Sequence, residues 1–191
     1  MHVLLISGSR SLDGQTARAA EALLRGVEHA GGTTERVALP QLRVLRCEQC
    51  QDNGWGTCRT EGRCSTSDDF RSLVDKLMEA DVCVFATPVY WGDLSESMRA
   101  FLDRLRRICT HSTVKERIRT KSAVGICIAG GGGGGAPSCA VSMERVLNTC
   151  GFAVLDMIPV RRQNQKLKLA VLELTGQWMV EQAAATEQPA G

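Results

Sequence analysis

His2-Val3-Leu4-Leu5-Ile6-Ser7, followed at once by Gly8-Ser9-Arg10-Ser11-Leu12-Asp13-Gly14-Gln15-Thr16, is the stretch on which the fold turns. Val3 to Ile6 is an unbroken apolar run, the pattern of a parallel strand covered on both faces rather than one alternating between core and water. The turn after it opens a helical pattern over Thr16–Ala30, with Ala19, Leu23, Leu24 and Val27 on one face. Similar apolar runs occur at Val82–Thr87, Ala123–Ala129 and Phe152–Val160, and Thr34–Leu39 is a weaker edge-strand candidate. Helical patterns over Asp68–Ala80, Ser95–Arg107 and Ser138–Cys150 lie between them. Such alternation specifies a parallel sheet with right-handed crossovers. The expected architecture is α/β, a five-stranded parallel sheet in the order 2-1-3-4-5 sandwiched by helices. It takes in residues 1–160, with a cysteine-rich insertion at 47–64. Residues 161–191 read as a basic segment, a helix over Leu169–Gln182 and a frayed tail of Ala, Gln and Pro.

Charge and composition narrow the function. Lys and Arg number 23 against 21 Asp and Glu, so no global field draws the chain to nucleic acid or to a membrane. Eighteen of the 23 basic residues are arginines, which suits local anion contacts. A single Tyr and three Trp supply a base-stacking surface poorly. No apolar run approaches the roughly 20 residues of a membrane-spanning helix, and the first residues enter a strand with no charged leader. The expectation is a soluble, cytoplasmic protein with neither nucleic acid nor membrane as partner. Nine cysteines without an export signal argue against a disulfide scaffold. Cys83, Cys109, Cys127, Cys139 and Cys150 are scattered, whereas Cys47, Cys50, Cys58 and Cys64 fall together in a polar segment and alone look chemical.

In an open parallel sheet, ligands sit beyond the carboxyl ends of the strands. Three loops there are unusual. Ser7–Thr16 offers Ser9, Ser11, Thr16, Arg10 and a helix start to a phosphate, and it equally reads as a solvated turn that caps a helix. Thr87-Pro88-Val89-Tyr90-Trp91-Gly92-Asp93-Leu94-Ser95 projects two adjacent aromatics from a loop. They either flank a flat heterocycle or cover the sheet end. Gly130–Gly135 is six consecutive glycines, which fits a close backbone approach to a ligand or a drifted flexible loop. Asp13 is unfavourable beside a phosphate unless it points away. His2, His29 and His111 show no metal-site spacing, and the basic residues of Arg99–Lys121 and of Arg161–Lys168 read mainly as solvated faces.

Together and in this order, the three loops resemble the NADPH-dependent FMN reductase and iron–sulfur flavoprotein family of the flavodoxin-like superfamily. Ser7–Thr16 is similar to its GS-x-R-x-x-G-x-T phosphate loop, Thr87–Leu102 to its TPVYWG…(K/R)AFLDR segment, and Gly130–Gly133 to its glycine loop. The resemblance implies non-covalent FMN, with its phosphate at Ser9, Arg10, Ser11, Gly14, Gln15 and Thr16. It places the isoalloxazine against Pro88, Val89, Tyr90, Trp91 and Gly92, with Gly130, Gly131 and Gly132 closing the other side. It also implies NAD(P)H as co-substrate, a quinone or other small electron acceptor, and a homodimer or homotetramer whose neighbouring subunit completes the pocket. No side chain is assigned a catalytic role, because the cofactor carries the redox chemistry. The family's cysteine signature is compact, whereas here it reads C-x2-C-x7-C-x5-C before Asp68-Asp69. Four thiolates suit a [4Fe–4S] cluster or a tetrahedral zinc site, and the expanded gap leaves unligated thiols or a disulfide as further readings. Two other functions share these features: an FMN-dependent dehydrogenase of a small biosynthetic substrate, and a non-enzymatic electron carrier. A zinc-bearing scaffold that has lost flavin is a third.

Overall fold

The computed structural model describes residues 1–187. Strands β1 (His2–Ser7), β2 (Thr33–Ala38), β3 (Val82–Tyr90), β5 (Ser122–Ala129) and β6 (Ala153–Arg161) form one parallel sheet in the order β2-β1-β3-β5-β6. A sixth strand that the sequence pattern did not announce, β4 (Asp93–Leu94), pairs antiparallel with the end of β3. The parallel core therefore has the expected order, and the strand count rises from five to six. Pro88, Val89 and Tyr90, expected in a loop, continue β3 instead: Pro88 stays in register with Ile128 of β5, and β4 gives Val89 and Tyr90 a pairing partner.

Both faces of the central strands are buried. Val3, Leu5, Val84, Ala86, Val124 and Ile126 pack on one side, and Leu4, Ile6, Cys83, Phe85, Ala123 and Cys127 on the other. The first side is covered by α1 (Gln15–His29) and α7 (Gln165–Glu187). The second is covered by α3 (Phe70–Glu79), α4 (Glu96–Ile108) and α6 (Ala136–Cys150), with Ile118 of α5 (Ser112–Arg119). The short α2 (Thr57–Thr60) lies within the cysteine segment. Helix α7 begins four residues earlier than its apolar pattern suggested and runs past Gln182, because Leu172 and Met179 are buried against the sheet side. The last four residues of the expected tail lie outside the described residues. Among the described residues no helix is long and apolar enough to cross a membrane.

The scattered cysteines are core filler. All five are buried free thiols. Burial pushes Cys83 up to about 12, and the neighbouring thiols Cys139 and Cys109, together with burial, push Cys127 and Cys150 upward as well. Cys83, Cys127 and Cys150 therefore stay protonated and unreactive at neutral pH.

Helices α1 and α7 touch backbone to backbone. A Cβ on Gly26 would stand 1.9 Å from the Glu173 carbonyl oxygen, and one on Gly176 would stand 2.1 Å from that of Leu23. Arg25 adds an exposed ion pair to Glu173 at 3.4 Å, and His29 Nδ1 lies 3.5 Å from the same carboxylate. Alanine is the better helix former by about 1 kcal/mol, but overpacking a rigid contact costs about 1–3 kcal/mol. Gly176→Ala is therefore expected to lower stability in urea denaturation, and Gly26→Ala with Gly176→Ala to lower it further. A stabilised single variant would show that the helices separate without cost.

Candidate functional site

The ladder between β1 and β3 extends one residue past Ser7, through Gly8 N–H to the Ala86 carbonyl at 2.8 Å. The turn that follows is thereby seated directly over the carboxyl edge of the sheet. Ser95 and Ser97 at the start of α4 both donate to the Gly8 carbonyl at 3.1 Å, and Ser95 N–H donates to the buried Thr87 hydroxyl at 3.1 Å. The space is fully used, since a Cβ on Gly8 would fall 2.4 Å from Ser95 Oγ. Thr87, Ser95 and Ser97 thus lock the first loop to the third. Sequence reading gave them no role, although a serine just ahead of a helical pattern is a cap signal and Ser95 caps α4.

Within the first loop Ser9 and Thr16 are buried, while Arg10 and Leu12 are exposed. Gly14 precedes α1 with extended backbone, and no side chain caps that helix, so its first N–H groups are free to meet an anion. Two hydroxyls are engaged locally: Ser9 donates to the Ser11 carbonyl at 3.1 Å, and Ser11 donates to Asp13 Oδ1 at 2.8 Å. Gln15 Oε1 is buried without a partner, and a Cβ on Gly130 would lie 3.5 Å from it. The first loop and the glycine loop therefore meet at Gln15. Above Gly131, Gly132 and Gly134 there is open space.

Trp91 and Gly92 form the two-residue turn between β3 and β4, with φ of 54° and 79°. A turn with both central residues at positive φ matches the twist of the flanking strands, but it favours Asn and Gly. For a bulky Trp this conformation stores strain of about 1–3 kcal/mol. Its side chain is fully exposed, and Tyr90 is half-exposed. Gly135, at φ 79°, packs on Gly92, where its Cβ would approach Gly92 Cα to 2.6 Å. The aromatic hairpin and the glycine loop are thus joined. Asp93 is ion-paired to Arg99; burial alone would raise its carboxyl, but the Leu94 N–H and the Arg99 guanidinium outweigh burial and hold it low. All three loops singled out in the sequence stand along one edge.

The four clustered cysteines line one cavity, with Arg104 and Arg107 in its wall. The segment that carries them is tied off at its base. Asp69 N–H donates to the Arg43 carbonyl at 3.0 Å, and Arg43 N–H donates to Asp69 Oδ2 at 2.7 Å. Leu45 N–H donates to Asp68 Oδ2 at 2.8 Å. Arg104, its side chain 1% exposed, grips the fully buried Asp68 carboxylate with both terminal nitrogens at 2.5 and 2.9 Å. It also donates to the Leu45 carbonyl at 3.0 Å and to Cys64 Sγ at 3.3 Å. The seven-residue gap after Cys50 is folded back on α4: Arg107 donates to the Gly54 carbonyl at 2.7 Å and lies 4.7 Å from the Trp55 ring, with Arg59 at 5.4 Å. Arg104 Nε and Thr66 Oγ1, which border the cavity, are buried without partners. Among the described residues no three His, Cys, Asp or Glu side chains stand in metal-holding geometry. The thiols share a cavity without converging on a point.

Burial tends to raise Asp68, but Arg104 and the N–H groups of Leu45 and Phe70 outweigh it and hold the carboxyl below its ordinary value. Its contribution to stability is then present above the unfolded value near about 3.9 and lost as pH falls through the lower folded one. Arg104→Met leaves a buried carboxylate unpaired and is expected to cost about 3–5 kcal/mol in chemical denaturation. Arg104→Met with Asp68→Asn is expected to recover part of that loss. Equal stability of the single variant and wild type would remove the pair as the anchor of the cysteine segment.

The chain is 29% identical over 131 residues to an iron–sulfur flavoprotein of Methanocaldococcus jannaschii, covering 69% of this chain and 65% of that protein. It is 28% identical over 176 residues to an iron–sulfur flavoprotein of Archaeoglobus fulgidus, covering 89% and 76%. Among solved structures, an NAD(P)H:quinone oxidoreductase from Methanothermobacter marburgensis superposes with a TM-score of 0.71 at 22% identity, over 94% of this chain and 96% of that one. A flavone reductase superposes with a TM-score of 0.70 at 21% identity, covering all of this chain and 65% of that one. The chain thus spans about two thirds of the first relative's length. Residues 1–164, which carry all three loops and the cysteine segment, match the NADPH-dependent FMN reductase family, and the protein belongs to that family.

Proposed function

We propose that this protein is an FMN-dependent oxidoreductase that moves electrons between NAD(P)H and a quinone or another small acceptor. The observation that carries the reading is the meeting of three loops at one sheet edge, around a buried acceptor and an open glycine cradle, in a chain of this family. The residues fit the cofactor. The uncapped start of α1 and Arg10 suit a phosphate, and Gln15 Oε1 needs a donor that a ribityl hydroxyl or a ring N–H would provide. FMN, when bound, supplies the hydride and electron chemistry.

Ser9, Arg10, Ser11, Gly14, Gln15 and Thr16 hold the phosphate end. Gly14 lets the chain close, since a Cβ there would come within 2.9 Å of Ser11 Oγ. Pro88, Val89, Tyr90, Trp91 and Gly92 line the ring's edge on a hairpin held rigid by β4, and Gly130, Gly131 and Gly132 leave room on the other side. No side chain here moves a proton in this reading; the chain positions two rings and excludes water. Leu12, Tyr90 and Trp91, exposed around this edge, support a homodimer or homotetramer in which a neighbouring subunit covers them.

Cys47, Cys50, Cys58 and Cys64 are proposed to hold a [4Fe–4S] cluster, with zinc as the other metal four thiolates suit. The chemistry of the donors supports it, although the sulfurs would have to draw together to meet one metal centre: four thiols share one cavity with two guanidiniums in its wall, which suits a sulfur-rich anion. The cluster, when bound, supplies one-electron transfer. Arg104, which holds Cys64, and Ser97, which holds Gly8, are seven residues apart on α4, so those two anchor points lie about 10 Å apart along that helix.

Two measurements test these assignments. Arg10→Ala is expected to weaken FMN binding about tenfold or more. Asp13→Asn, which removes a negative charge and loosens its hold on Ser11, is expected to tighten it several-fold. Unchanged FMN fluorescence quenching in both variants would displace the phosphate from this loop. Protein purified without oxygen is expected to be brown, to contain about four iron per chain and to lose it in Cys58→Ser. One tight zinc without iron would make the site structural.

A further inference from the structure

A second cavity, of about 260 Å³, opens on the far side of the cysteine segment, between that segment, α3, the end of α4 and α5. Three arginines from three elements surround it: Arg63 of the segment, Arg71 of α3 and Arg117 of α5. None of the three side chains makes an ion pair or hydrogen bond among the described residues. Glu61 and Asp75 also border the cavity and bind none of them, so three guanidiniums face two carboxylates. The floor is apolar, built from Val74, Met78 and Val114 among others. His111 lines the wall, with its Nδ1 buried behind the surface and without a partner.

The wall is formed by close packing. Gly62, at φ 67°, presses on α5 so tightly that a Cβ would fall 2.6 Å from Val114 and 3.2 Å from His111. Cys64 borders both this cavity and the one lined by the four cysteines. A cavity with free guanidiniums at its rim and an apolar floor selects a ligand with one anionic head and a compact apolar body. Inorganic phosphate would leave the floor uncovered, and a neutral aromatic would leave the arginines without an anion.

We infer that this cavity is a second ligand site, separate from the three-loop edge, that takes a small aromatic carboxylate. The carboxylate lies among Arg63, Arg71 and Arg117, and the ring rests on Val74 and Val114. Because Cys64 forms part of the wall, a bound ligand shields one side of the cysteine segment.

The probe is 1-naphthoate, titrated calorimetrically into the protein as purified, with its FMN content measured in parallel. Saturable binding is expected, about tenfold weaker or more in Arg71→Ala with Arg117→Ala. The neutral 1-naphthalenemethanol is expected to bind at least about tenfold more weakly. Val74→Trp, which fills the floor, is expected to abolish binding while thermal stability and FMN affinity stay as in wild type. If Val74→Trp does not fold, the exposed arginine pair still decides the matter. Saturation that is unchanged in the double arginine variant, equal binding of the neutral alcohol, or full displacement by millimolar inorganic phosphate would each overturn the assignment. So would the absence of saturable heat. None of these readings depends on turnover, so a failure here is distinct from a failure of the flavin assignment.

Discussion

Burial of β1, β3 and β5 on both faces is the constraint from which the rest of the molecule follows. Every side chain from Val3 to Ile6 and from Val82 to Ala86 is covered, alternately by the α1/α7 layer and by the α3/α4/α6 layer. A sheet so enclosed has no free face, and a ligand meets it only along an edge where strands end and loops begin. The hydrogen bond from Gly8 to Ala86 carries the ladder just beyond the strand end, so the first loop begins from a fixed platform. The hydroxyls of Thr87, Ser95 and Ser97 then fix that loop to α4. Rigid loops on a rigid edge are what cofactor positioning requires.

A second organising contact lies along α4. Arg104 is a full positive charge inside the protein, and it is tolerated because Asp68 meets it with both oxygens and the Leu45 carbonyl takes a further N–H. The pair does more than neutralise itself. It ties the two ends of the cysteine segment together and puts a charged donor on Cys64. The enlarged gap between Cys50 and Cys58 is accommodated by the same helix one turn further on, where Arg107 holds Gly54 and Trp55. The departure from a compact cysteine spacing is therefore built into the packing rather than left as a loose insertion.

Trp91 stands apart from this economy of buried contacts. Its backbone is held in the left-handed region and its ring lies wholly in solvent. Strain and exposure of a large apolar group in one residue are what the proposed contact of Trp91 with a ligand or a neighbouring subunit rests on. The backbone of the hairpin is kept in place by β4 and by the packing of Gly135 on Gly92.

The amino-acid sequence determined the strand and helix alternation, the order of the parallel strands and the three edge loops, because each rests on local chemistry: runs such as Val3–Ile6, the hydroxyls of Ser9–Thr16, the glycines of 130–135. It also separated Cys47, Cys50, Cys58 and Cys64 from the buried thiols, since clustering in a polar stretch is visible without coordinates. Only the tertiary structure decided which distant residues meet. Ser95 reaches Gly8 across 87 positions, and Arg104 reaches Asp68 across 36. Gly26 of α1 meets α7 at Glu173 and Gly176. The continuation of β3 through Tyr90 likewise depended on a two-residue partner strand too short to leave a periodic signal. Periodicity reports how one segment divides itself between core and water; the pairing of polar groups depends on which segments the fold brings within about 3 Å of one another.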